Sequence, residues 1–220
     1  MARPPTRSLS PSADCWIGSR TSASFLLLLL LLLLGTDADA DIRSSQHWAL
    51  FNTVCARCHE AQCSGRLSLG PGDTQSRAHV ERYAGKLSDD LHQQLVVYLQ
   101  HMKEFCGFTA ISLAFEPRAA WSEEQLTDFR TPNGEAYFVP LGELAAGKHR
   151  VQARLVGADW SAQVVAEGFD ALAEGRSCGS GNEFSLEFHA GGGMHYLRVM
   201  GRGTLQLQEL RLAAVPAPSH

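Results

Sequence analysis

The chain has 220 residues, 45% of them hydrophobic and 19% charged, with a formal net charge of −4. That length leaves room for one or two domains, and the composition is that of a chain able to bury a core. The slight acidity argues against a nucleic-acid binder, which would show a basic face, so no nucleic acid is expected as a partner.

Residues 1–40 read as a signal peptide. Arg3, Arg7 and Arg20 precede an apolar run, 25–34, in which nine of ten residues are leucine. As a helix this run rises about 15 Å, half of the hydrocarbon core, and Ala38 and Ala40 supply the small residues that a signal peptidase accepts. The mature chain is expected to start at Asp41 and to work in the bacterial periplasm, touching the membrane only if the signal stays uncleaved. It then holds Cys55, Cys58, Cys63, Cys106 and Cys178, in a compartment where disulfides persist.

Residues 41–106 carry helical spacing. Trp48, Phe51 and Cys55 follow i, i+3, i+7 on a first helix. "GPGD" (70–73) is a loop, and a short second helix over about 77–84 carries His79. The third helix opens on Ser88 as N-cap with Asp89 and Asp90 behind it. Leu91, Leu95, Tyr98 and Met102 then share one face, and Gly107 is a natural stop.

Beyond Gly107 the period changes to that of half-buried strands. Seven segments qualify: 111–116, 136–141, 149–157, 161–167, 183–190, 195–201 and 204–212. Gly-rich turns join them, which predicts an antiparallel β-sandwich over 107–215 and a disordered tail over 216–220. The expected fold class is α+β, built as separate all-α and all-β domains.

"CARCH" carries the chemistry: Cys55, Cys58 and His59 form the C-x-x-C-H pattern of c-type haem attachment. Cysteines at i and i+3 lie on one face of a helical turn, where both sulfurs reach the two vinyl groups on one haem edge. The adjoining imidazole then binds iron axially. Other chemistries use the same residue types. A thioredoxin-like C-x-x-C sits near a βαβ pattern, which is absent. A lone disulfide would staple turns that need no staple. Zinc would need four ligands, and His101 and Cys106 are the second pair on offer.

With these residues in view, 41–106 resembles a small single-haem c-type cytochrome of the common helical family. Trp48 and Phe51 lead into "CARCH", and "LSDDLHQQLVVYLQ" (87–100) is similar to the family's closing helix. The resemblance implies one covalent haem c, His59 as proximal iron ligand, and electron transfer to a redox protein or larger oxidoreductase complex rather than an enzyme's turnover. Family members often place a methionine before the closing helix, and none lies between His59 and Ser88. His79 fills that slot as distal ligand, Met102 is the alternative, and open iron, as in a haem-based sensor or accessory subunit, is the third. A zinc-stabilised exported binding protein is the non-haem alternative. Cys63 and Cys106, at either end of the block, are expected to pair, a loop closure worth roughly 4 kcal/mol; Cys178 is the other candidate partner.

The sandwich shows no catalytic constellation. His149, His189 and His195 lie on different strands, and "HAGGGMH" (189–195) reads as a hairpin turn. Trp121 and Trp160 are expected in the core, although they could stack sugars. "PLGELAAGKHRVQARLVGADW" (140–160) faintly resembles jelly-roll carbohydrate-binding modules, which implies docking of a carbohydrate or protein ligand.

Overall fold

The computed structural model describes residues 45–59, 74–104, 118–179 and 181–216. The expected signal, Cys63, Cys106, Gly107, the strand 111–116 and nearly all of the tail lie outside the described residues. A helical run over 45–59, α1, contains one π turn, Phe51–Cys55, where the Ala56 N–H donates to the Phe51 carbonyl. Inside it the Thr53 hydroxyl donates to the Ala49 carbonyl at 2.7 Å, a back-bond of the kind that bends helices. Such turns are frequent at functional sites. Helix α2 spans Thr74–Ala84 and ends at Gly85, whose φ of 79° suits a residue without Cβ and whose N–H reaches the Glu81 carbonyl at 3.0 Å.

Helix α3 spans Asp89–Glu104. The Ser88 hydroxyl accepts the Leu91 N–H at 3.2 Å, as its place before two aspartates predicts. Leu91, Leu95 and Tyr98 are buried together; the Met102 side chain lies outside the described residues.

The strands are β1 (Ala120–Ser122), β2 (Ala136–Glu143), β3 (Gly147–Val156), β4 (Ser161–Ala166), β5 (Ala171–Arg176), β6 (Glu183–Ala190), β7 (Met194–Met200) and β8 (Gln206–Ala214). A short helix, α4 (Glu123–Thr127), follows β1 with a capping box between Ser122 and Gln125. Antiparallel pairing gives two four-stranded sheets, β1-β8-β3-β6 and β2-β7-β4-β5. Val139, Val151, Leu155, Val164, Leu197 and Leu210 meet between them. Trp121 and Trp160 belong to this core. Trp160 packs on Phe184 at 5.1 Å and donates its indole N–H to the Gly181 carbonyl at 2.8 Å, so neither ring is a sugar platform.

Two strands depart from the expected half-burial. In β2 every residue from Ala136 to Gly142 is buried, and in β7 every residue from His195 to Val199. The reason is that the helical segment covers the outer face of their sheet. Phe138 and Tyr196 stack at 5.2 Å and 11°, and Trp48 of α1 stands edge-on to both at 4.7 and 5.7 Å. Trp48, Phe51, Leu95, Tyr98, Phe138, Val165 and Tyr196 form one apolar cluster. Helices and sheet thus share a second core.

At one end of the sandwich interior, His195 is fully buried and donates Nδ1–H to the Gly193 carbonyl at 2.7 Å. Burial pushes its pKa below the ordinary value of 6.5, and the neighbouring His149 pushes the same way against that hydrogen bond. The unfolded chain therefore binds the proton more readily than the folded one, and stability rises with pH through this interval. Urea unfolding from pH 8 to pH 5 should show stability complete above pH 6.5 and declining below it. His195→Gln should flatten that decline; a slope unchanged by the substitution would assign it elsewhere.

Candidate functional site

The π turn and the α-helical turn after it, Ala56–His59, present the motif side chains. The Cys55 thiol is half-buried and packs against the helix–sheet cluster, whereas Cys58 is exposed. Both are free thiols. Burial, and then the proximity of Cys58, push the Cys55 pKa up to about 12, so the thiol is protonated at neutral pH. The turn is pinned from the other side: Asn52 donates to the Tyr98 hydroxyl at 3.2 Å, and Phe51 meets the Tyr98 ring at 5.4 Å.

His59 is half-buried, and the exposed His79 lies across from it, with ring centres 6.2 Å apart and planes at 62°. The structure thus brings together two residues twenty positions apart in sequence. Tyr83, one turn along α2, flanks His79 at 5.3 Å. Arg77 holds α2 in place, since its guanidinium bonds Glu81 at 3.0 Å, Asp89 at 2.5 Å and the Leu87 carbonyl at 2.9 Å. The helix carrying His79 is thereby tied to the start of α3.

His59 and His79 are the two imidazoles that would be available to a metal at this turn. Their separation is also that of a plain edge-to-face pair. The free thiols of Cys55 and Cys58 lie on the same turn as His59. No group of three or more His, Cys, Asp or Glu side chains converges as a metal cluster among the described residues. The side chains of His101 and Met102, and Cys106 altogether, lie outside the described residues. Cys178 is exposed and carries no disulfide.

In the sandwich, "HAGGGMH" is the β6–β7 hairpin, as expected, with Gly192 and Gly193 at φ 95° and 81°. His189 is exposed, while His149 and His195 lie inside on either side of Phe188. Sequence reasoning missed the cleft beside the motif turn, which Arg57 lines together with β4, β5 and the turn after β7. Its walls come from distant segments, and no local pattern marks them.

No family model matches the chain, and no curated protein matches it. Among solved structures the C-terminal sandwich is distantly similar to carbohydrate-binding modules. A module of Cellvibrio mixtus lichenase 5A, in complex with cellotriose, shares 10% identity over 40% of this chain and 76% of its own, at a TM-score of 0.31. The sugar-binding C-terminal domain of EclA shares 16% identity over 47% of this chain and 83% of its own, at 0.26. A Podospora anserina β-(1,4)-mannanase with a binding module shares 13% over 40% of this chain, at 0.30, and the match spans 21% of the enzyme. Similarity at this level carries no argument about function.

Proposed function

We propose that the chain is an exported c-type cytochrome that holds one haem covalently through Cys55 and Cys58 and passes electrons to or from a redox protein or a larger oxidoreductase complex. The observation that carries this reading is the conjunction in one place of two free thiols and the His59–His79 ring pair at 6.2 Å. Haem c, when bound, supplies a one-electron iron couple. The chain's own residues then have separable tasks. Cys55 and Cys58 would fix the group, His59 would serve as proximal ligand and His79 as distal ligand, and Arg77 orients the helix on which His79 sits. The Trp48–Phe138–Tyr196 contact anchors the motif helix to the sandwich, which serves as a rigid platform and a docking surface for a protein or carbohydrate ligand.

Histidine donates more strongly than a thioether and favours ferric iron, so a bis-histidine site is a low-potential one. Oxidised protein should be low-spin and lack the far-red sulfur-to-iron band. His79→Ala should turn it high-spin and let the reduced form bind carbon monoxide. An unchanged His79→Ala spectrum, with Met102→Ala turning high-spin, would transfer the distal role to the methionine. High-spin iron in the unaltered protein would favour the haem-based sensor.

A further inference from the structure

Arg57 lies between the two motif cysteines, exposed, and forms part of an open cleft of about 820 Å³. The other walls are the part of the β2-β7-β4-β5 sheet beyond the helices, chiefly β4 and β5, and the turns after β5 and β7. Arg176 at the end of β5 and Arg202 in the turn after β7 line it too, both exposed. None of these three guanidiniums makes a hydrogen bond or ion pair among the described residues.

Three carboxylates line the same cleft, and each accepts one hydrogen bond from the fold. Asp159 accepts the Gly179 N–H at 3.0 Å, Glu174 accepts the Gln163 amide at 2.8 Å, and Glu135 accepts the Asn133 amide at 3.1 Å. The fold thus uses one acceptor position of each carboxylate, whereas the three guanidinium forks carry no such bond among the described residues. The one aromatic ring reaching the cleft, Trp160, is 5% exposed and its N–H is spent on Gly181. Recognition here must come from charged donors rather than from stacking.

We infer that this cleft is a binding site for a small ligand bearing an oxyanion, a carboxylate or a phosphate, gripped by Arg57, Arg176 and Arg202. Guanidinium forks match both groups bidentately, and the volume falls within the usual range for small-molecule sites. Because Arg57 belongs to the motif turn, an occupant would sit directly against that turn. The inference goes beyond the haem reading and rests on the cleft's own donors, so either can fail without the other.

The test is calorimetric titration of the purified full chain at low ionic strength, with citrate and pyrophosphate in separate arms. One of them should bind at one site per chain, and the preferred probe tells carboxylate from phosphate. Arg176→Gln and Arg202→Gln should each weaken binding about tenfold to a hundredfold, and added salt should weaken it further. Both side chains are exposed, so the far-UV spectrum should not change. Binding of neither probe, or undiminished binding by the double variant, would overturn the site.

Discussion

Trp48→Ala should cost about 3–5 kcal/mol of folding stability, the usual loss for a fully buried aromatic. Trp48 is 1% exposed and touches both Phe138 and Tyr196 edge-on, which makes it the pin between α1 and the sheet. Its indole leaves a cavity beside the stacked Phe138 and Tyr196 rings, which cannot move in without unstacking. Urea unfolding should therefore show a much lower midpoint. A loss below about 1 kcal/mol would mean that the helices hold together without the sheet. By the same argument, a chain cut before the sandwich loses the Phe138–Tyr196 face on which its motif helix rests.

Cys58→Ala should lose most of the haem-bearing protein, and Cys55→Ala should lose it more completely. The difference follows from where the two sulfurs lie. Cys55 packs into the shared core and its thiol is held protonated by burial, so its place is fixed by the fold; Cys58 is exposed on the next turn. Loss of the exposed sulfur removes one of two tethers, whereas loss of the half-buried one also removes packing against the helix–sheet cluster. Yields of haem-stained protein from export-competent cells measure both. Equal yields from wild type and both variants would remove the two cysteines from the attachment chemistry.

Much of this arrangement was legible from sequence because its signals are local. Ser88 before Asp89 and Asp90 announces α3, and alternation in "EFSLEFHA" places β6 at the residues it occupies. The five residues "CARCH" mark, through spacing alone, the turn on which the proposed attachment rests. β5, "ALAEGR", escaped because an edge strand packs on one neighbour and keeps only partly buried side chains, so it needs no apolar alternation. β1 escaped because three residues make no period and their pairing partner in β8 lies about ninety positions away. The double burial of β2 did have a signal. "AYFVPL" is a continuous apolar run rather than an alternating one, and such runs mark strands covered on both faces. His79 could be nominated by its slot ahead of α3, but its approach to His59 depends on how α2 is held by Arg77, Glu81 and Asp89. The arginine cleft had no local signal at all, since its three cations stand at 57, 176 and 202.

The central claim is covalent haem, and the most direct measurement is acid–acetone extraction of the unfolded wild-type protein followed by a haem stain on a denaturing gel. Thioether bonds survive both treatments, so the stain should stay with the polypeptide, and a proteolytic fragment containing Cys55 and Cys58 should carry it. A polypeptide that comes through colourless, with the haem in the organic phase or with none present, would contradict the account.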